Sequence, residues 1–164
     1  MDNKRILTAI IAIGVLNLAL TTWLVIDSNR PKQLSGPKQS SPLPAELSAA
    51  KRNAIFEQIR SLYNAQDYDG LYRIFAREVQ VQIPRAEFTA SMEKLKATFS
   101  DIEDGAYSHY EFIGNQSEKA LYNLFYTVRL PKSAISSKGS LKVTVAAAEG
   151  NVSIYSIYLS SMAQ

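Results

Sequence analysis

One histidine is the residue in this sequence best suited to acid–base chemistry. His109 is the only histidine, and Tyr107 and Glu111 lie two positions to either side of it. Because side chains alternate between the faces of a strand, these three would share one face, and such a row can orient an imidazole for proton transfer. The competing interpretation is that this row is a solvated face and that the opposite residues, such as Tyr110, pack inward. The alternation by itself leaves both interpretations open.

The sequence lacks the residues that most other reaction chemistries require. The absence of cysteine excludes thiolate nucleophiles, disulfides and cysteine-ligated metals, and a single histidine excludes a two-histidine metal site within one chain. The carboxylates of residues 101–104 lack the spacing of a calcium loop, which favours a solvated turn. There is also no glycine-rich phosphate loop and no serine nucleophile elbow. We therefore predict no catalytic residues, no metal and no cofactor.

Tyrosine is the one residue type that the composition favours. All nine tyrosines lie beyond residue 62. Tyrosine supplies contact area with a polar end and is frequent in binding surfaces, although it is also simply a good strand residue. The candidate pocket or interface residues are the histidine and the six tyrosines of the predicted strands: Tyr107, His109, Tyr110, Tyr122, Tyr126, Tyr155 and Tyr158.

The excess of positive charge lies outside the predicted folded part. Residues 1–44 contain five basic and two acidic side chains, which leaves 13 of each sign in residues 45–164. Nucleic-acid binding needs a basic surface that displaces counterions from phosphates. A domain of zero net charge therefore argues against a nucleic-acid partner.

The first 26 residues predict a membrane anchor. Residues 6–26 carry no formal charge and would span about 31 Å as a helix, which matches the bilayer core. A cleavable signal peptide is the alternative, but the apolar run is long and no clear cleavage site follows it. We predict a short tail at residues 1–5, an uncleaved transmembrane helix at 6–26 and a flexible, proline-rich linker at 27–44. In a bacterium this places a periplasmic domain, residues 45–164, on a single-pass inner-membrane anchor.

Apolar periodicity predicts three helices and then four strands. Three- and four-residue steps indicate helices over 44–65 and 70–78, and a third helix that carries Phe88, Met92, Leu95 and Phe99 on one stripe. The alternating run 79–83 before Pro84 predicts an extended connection. Period-two segments at 107–113, 119–130, 140–148 and 151–160 predict an antiparallel meander with short turns, and so an α+β fold.

This order resembles the nuclear transport factor 2-like (cystatin-like) superfamily. The resemblance rests on residues 66–112, on KALYNLFYTVRL at 119–130 and on GSLKVTVAAAEGNVSIYSIYL at 139–159. It implies three helices packed on a curved, four-stranded antiparallel sheet that forms a cone. Uncharacterised, membrane-anchored bacterial proteins with this domain are the nearest in outline.

Three functions follow as expectations. The first is a membrane-anchored, non-catalytic binding module of the bacterial envelope, which binds a partner protein or a small apolar ligand or associates with itself. The second is a structural subunit of an envelope assembly such as a secretion machine. The third is a pocket enzyme that uses the interior of the cone. A deep cavity beside His109 would favour the enzyme, and an exposed apolar patch on the sheet would favour assembly.

Overall fold

The computed structural model describes residues 43–116, 119–133 and 135–162. The predicted tail, transmembrane helix and most of the linker lie outside these residues. Within them, no helix is both long enough and apolar enough to cross a bilayer. The described part folds as four α-helices followed by a four-stranded sheet, which confirms the α+β class.

The helices form one layer. A short 3-10 turn at Ala45–Leu47 leads into α1 (Ala49–Asn64), and α2 (Tyr68–Arg73), α3 (Arg77–Gln82) and α4 (Arg85–Phe99) follow. The Ser48 hydroxyl accepts a hydrogen bond from the Lys51 amide, which explains why the turn and α1 are separate although the pattern predicted one helix. The predicted stripe of the last helix is confirmed, since Phe88, Met92 and Phe99 are buried.

Two predictions for residues 70–83 were wrong. The second helix ends at Arg73, because the Ala76 amide donates to the Ile154 carbonyl at the edge of the sheet and so leaves the helical pattern. Residues 79–83 were predicted to be extended, but Arg77–Gln82 is helical. Pro84 constrains only the residue before it, and Ile83 is indeed extended (φ −111°, ψ 111°).

Tertiary hydrogen bonds hold α3 in its helical turn. The Tyr72 hydroxyl lies 2.6 Å from the Gln80 carbonyl oxygen and 2.8 Å from the Ile83 carbonyl oxygen. The Gln80 side-chain amide donates back to the Phe75 carbonyl oxygen at 2.8 Å. These partners lie five to eleven residues apart, so a local pattern of alternating apolar residues does not reveal them.

The sheet is an antiparallel meander in the order β1-β2-β3-β4. Its strands are β1 (Gly105–Gln116), β2 (Lys119–Arg129), β3 (Lys138–Ala148) and β4 (Asn151–Ser161). The predicted strands are confirmed, although β1 is longer than the predicted 107–113. The predicted tight turn between β3 and β4 is also confirmed, with positive φ at Glu149 (47°) and Gly150 (79°).

Two irregularities interrupt the pairing of β1 with β2. The register shifts between Tyr107 and His109 and again between Phe112 and Gly114. A bulge of this kind inserts one unpaired residue, bends the strand and increases its twist. It also reverses the alternation of faces, which matters for the residues around His109.

The helices pack on one face of the sheet, which we call the inner face. The core combines helix residues such as Phe56, Ile59 and Met92 with the inner residues of the central strands. On β2 and β3 the residues of the inner face are all buried: Tyr122, Leu124, Tyr126, Val128, Leu130, Leu141, Val143, Val145 and Ala147.

Candidate functional site

The sheet separates the seven candidate residues into three groups. Tyr107, Tyr110, Tyr122 and Tyr126 belong to the inner side, where they pack in or against the core. His109 and Tyr158 lie on the opposite face, which we call the outer face. Tyr155 contacts the third helix through a polar cluster. The seven residues therefore do not form one pocket.

The first inner group is built around Tyr126 on β2. Its ring stacks on Phe56 of α1 with centroids 5.1 Å apart, and its hydroxyl donates to the Arg52 carbonyl at 2.9 Å. Tyr107 meets the same ring edge-on, and the Arg52 guanidinium lies 4.1 Å above the Tyr107 ring. Burial raises the pKa of Tyr126 above its ordinary value of 10.0. This group is a packing contact between α1 and the sheet, with neutral tyrosines and one arginine cation over a ring.

The second inner group continues along β1 and β2. Tyr110 and Phe112 both contact the Tyr122 ring, with centroids 6.1 Å and 5.4 Å away. Tyr122 is 2% exposed, whereas its two neighbours are half-buried. Aromatic pairs of this kind add stability beyond the area they bury. The inner tyrosines therefore serve the packing of the edge strand.

A cavity between α1, α4 and the last two strands is small. It encloses about 10 Å³, the space of about one water molecule. Its walls are almost wholly apolar, and they are formed by Ile59, Tyr63, Leu71, Met92, Leu95, Ile102, Leu141, Ile157 and Leu159. His109 is not among them. A cavity of this size does not admit a small apolar ligand.

Tyr155 belongs to a polar cluster that joins two strands to a helix. The Lys119 ammonium donates to the Glu78 carboxylate at 2.7 Å and to the Tyr155 hydroxyl at 3.3 Å. Hydrogen bonding to Glu78 is the main cause that raises the pKa of Lys119, and the same bond lowers the pKa of Glu78. A protonated lysine beside an ionised carboxylate is neither a base nor a nucleophile. The cluster is an ion pair that holds α3 against the sheet.

The carboxylates of residues 101–104 are engaged in ion pairs. Asp101 pairs with Lys96 of α4, and Glu103 pairs with Arg129, whose side chain also lies 3.8 Å from Asp104. Among the described residues, no group of three histidine, cysteine, aspartate or glutamate side chains is placed to hold a metal ion. This run closes the helical layer and joins it to β1.

A row of four side chains crosses the whole outer face. The strand pairings place His109 opposite Phe125, Phe125 opposite Lys142 and Lys142 opposite Tyr158. The His109 and Phe125 rings are parallel, with centroids 4.4 Å apart, and the Lys142 ammonium lies 5.2 Å from the centre of the Tyr158 ring. We call these four residues the aromatic row.

A second row, which we call the polar row, runs beside the first. It consists of Glu111, Asn123, Thr144 and Ser156, which are paired in that order across the four strands. The Ser156 hydroxyl donates to the Thr144 hydroxyl at 2.7 Å, and the Thr144 hydroxyl donates to the Asn123 side-chain oxygen at 2.9 Å. The side chains of Asn123, Thr144 and Ser156 are therefore linked by hydrogen bonds across β2, β3 and β4.

None of the eight residues of the two rows belongs to the core. Two of them carry charges that no described residue neutralises, since neither Lys142 nor Glu111 takes part in an ion pair with the part of the chain that the structure describes. The two rows therefore form a surface with an aromatic centre, satisfied hydrogen bonds and one unpaired charge of each sign.

The expected row of Tyr107, His109 and Glu111 does not exist. The bulge after Tyr107 leaves Ser108 and His109 both exposed and returns Tyr110 to the inner side. His109 and Glu111 lie outside and Tyr107 lies inside, so the interpretation that assigned all three to one face is corrected. His109 Nδ1 lies 3.0 Å from the Ser108 hydroxyl, and His109 does not line the cavity described above.

Sequence analysis missed half of the aromatic row. His109 and Tyr158 were named as candidates, whereas Phe125, Lys142 and the whole polar row were not. The alternation along each strand indicates that these residues point outward. It does not indicate which of them are opposite one another, because the register also depends on turns and bulges.

Comparisons with known proteins add no family. No protein-family model, no curated protein and no solved structure matches the chain. The candidate site therefore has to be interpreted from its own geometry.

Proposed function

We propose that the chain is a membrane-anchored, non-catalytic binding module of the bacterial envelope. In this proposal residues 6–26 span the inner membrane, residues 27–44 form a flexible tether, and residues 45–164 form a periplasmic domain that binds a partner protein. The described residues contribute the domain, and the anchor rests on the sequence alone.

The outer face is the observation that carries this proposal. The two rows place side chains from all four strands on the face opposite the core. Aromatic rings at the centre of a surface, with hydroxyl and amide groups beside them, are typical of protein interfaces. The Asn123 side-chain oxygen and the Thr144 and Ser156 hydroxyls already have hydrogen-bond partners, which lowers the cost of covering them with a partner protein.

The interior favours a protein partner over a small ligand. The cavity that the structure describes beneath the sheet encloses about 10 Å³, whereas pockets for drug-sized ligands measure about 300–1,000 Å³. Among the described tyrosines of the inner side, Tyr126 is hydrogen-bonded and Tyr107 packs edge-on against its ring, as packing residues do.

The superfamily resemblance enters the proposal as its fold. We propose that the sheet is the curved sheet of a nuclear transport factor 2-like cone. The two bulges of β1 and the register shift between Thr144 and Val145 support it, because bulges bend the strands that contain them.

Photo-crosslinking from two positions tests the proposed binding surface. Thr127 lies on the outer side of β2 and Ser61 on α1, and both are exposed. We replace each in turn with a photoreactive amino acid in the full chain, in bacterial cells that produce it. We expect a defined protein adduct from position 127 and none from position 61. Equal adducts from both positions, or none from position 127, would contradict the proposal.

A further inference from the structure

We infer that the partner of the outer face is a second copy of this chain. This inference deepens the proposed function and rests on it, since it names the occupant of the same surface. It follows from the placement of Lys142 and Glu111, whose opposite charges lie in adjacent rows of one sheet face.

The two charges are complementary under a twofold axis. In a symmetric dimer each residue meets the counterpart that its partner contributes, so Lys142 of one copy can face Glu111 of the other, and the reverse. β1 and β3 are separated by one strand, and the two rows are two residues apart. At ordinary strand spacings the two charges are then about 12 Å apart. A twofold axis that lies in the plane between the two packed sheets, and runs over the midpoint of the line joining the two charges and perpendicular to it, forms both ion pairs at once.

The residues nearest that axis suit a buried centre. Phe125 and Asn123 lie on β2, between the strands that carry the two charges. Phe125 presents an apolar ring, and the Asn123 side-chain oxygen already accepts a hydrogen bond from Thr144. Two such surfaces can pack together around the Phe125 ring, and each copy places its two unpaired charges where the partner can neutralise them.

The size of the face is also adequate. Four strands of 11 or 12 residues cover a projected area of about 500 Å² at ordinary strand spacings. Side-chain relief brings the accessible area toward the roughly 600–1,000 Å² per partner that a stable interface buries. Two sheets packed face to face are also a common protein architecture.

Charge exchange tests the inference. The full chain is solubilised in detergent micelles, and its association is measured by sedimentation equilibrium. We expect the unmodified chain to dimerise. Lys142→Glu and Glu111→Lys, each alone, should weaken the dimer about tenfold, because every copy then meets a like charge at two symmetric positions. The double variant K142E/E111K should restore the affinity to within about threefold, because it re-forms both pairs with their signs exchanged.

Lys94→Glu is the matched control. Lys94 is exposed on α4 and forms no ion pair with a described residue, so its reversal changes net charge without touching the outer face. Its dimer affinity should equal that of the unmodified chain. Thermal unfolding of each variant, followed by circular dichroism, establishes that a weakened dimer still contains folded chains.

Three results would overturn the inference. The unmodified chain could be monomeric, both single charge reversals could leave the dimer affinity unchanged, or the double variant could fail to recover the affinity. The second result would place the contact elsewhere, for example in the predicted anchor. A different protein captured at position 127 would then preserve the proposed function while the inference fails. An absence of any adduct there would remove both.

Discussion

The two faces of the sheet are built from alternate residues of the same strands, yet they differ in what surrounds them. On β2 the inner residues Leu124, Tyr126 and Val128 are at most 1% exposed and belong to the core. Asn123 and Phe125, which flank Leu124 along the chain, contact side chains of neighbouring strands instead. The inner face depends on another layer of the protein, and the outer face is satisfied within its own plane.

The two faces allow substitutions that affect the stability of the fold to be separated from substitutions that affect the binding surface. Removing an inner side chain leaves a cavity between two layers that cannot fully collapse. Removing an outer side chain opens no cavity and disturbs only its neighbours in a row. Substitutions on one strand can therefore destabilise the fold or alter the surface, according to their position in the alternation.

The greatest change in the free energy of unfolding is predicted for one of two leucines of β2. Leu124 is fully buried on the inner face, whereas Leu121 is half-buried and lies on the outer side. Leu124→Ala should lower the free energy of unfolding by about 3 kcal/mol through lost burial and a cavity. Leu121→Ala should lower it by about 1 kcal/mol or less. Urea unfolding of the full chain in detergent measures both, and equal losses would contradict the assignment of the faces.

The next largest loss of stability is expected at Gly139 of β3, in comparison with its neighbour Ser140. A Cβ at Gly139 would lie 2.6 Å from the Ser160 carbonyl oxygen and 2.7 Å from the Leu130 side chain. Gly139→Ala should therefore destabilise the protein by about 1–3 kcal/mol, because the backbone of β4 has to move. Ser140→Ala, on the opposite face, should change stability by less than about 0.5 kcal/mol. Thermal unfolding of the two variants checks the contrast; a similar melting temperature for both would argue against it.

A smaller effect is expected within the polar row. Thr144→Val keeps the shape of the side chain but removes a hydroxyl that hydrogen-bonds to both Asn123 and Ser156. The free energy of unfolding should fall by about 1 kcal/mol. Thr127→Val is the control, because Thr127 lies on the same face but outside the polar row. If both valine variants were equally stable in urea unfolding, the hydrogen bonds of the polar row would contribute nothing to the stability of the sheet.

The smallest effect concerns an ion pair of the helical layer. A hydrogen bond from Lys96 holds the pKa of Asp101 below its ordinary value of 3.8. The pair therefore stabilises the fold above that pH and loses its contribution as the pH falls below it. The side chain of Asp101 is 41% exposed, so solvent limits the contribution to about 0.5 kcal/mol.

Asp101→Asn should reduce the loss of stability that protonation of this carboxylate causes at low pH. Urea unfolding above and below pH 3.8 measures it. Lys96→Gln should reduce the acid dependence in the same way, and it also removes the contacts of Lys96 with the Asn64 carbonyl oxygen and the Tyr63 ring. The two changes together should reduce the acid dependence little further than either one, because both remove the same ion pair. Additive losses would show that the two side chains act separately.

The α+β class and most elements of the described fold were predictable from sequence. The stripe of Phe88, Met92 and Phe99 and the inner residues of β2 and β3 have periods that a local pattern reveals. The helical turn at Arg77–Gln82 was not predictable in this way. Its stabilising partners, Tyr72 and the Ile154 carbonyl at the sheet edge, lie outside the segment.

The candidate site was predictable only in part. Tyrosine content pointed to strand surfaces, but five of the seven candidate residues pack in or against the core and only His109 and Tyr158 lie on the outer face. One bulge decides this for β1, because an inserted residue reverses every face assignment after it. A bulge of this kind has no reliable signature in a single sequence.

Three properties follow from the amino-acid sequence: the period of each element, the balance of charge in the domain and the absence of residues for thiol or two-histidine metal chemistry. These properties belong to residue types and their spacing along the chain. The tertiary structure alone decided which residues lie opposite one another. Register depends on turns, bulges and the packing of helices on one face, so Phe125, Lys142 and Glu111 became one surface only once the four strands had paired.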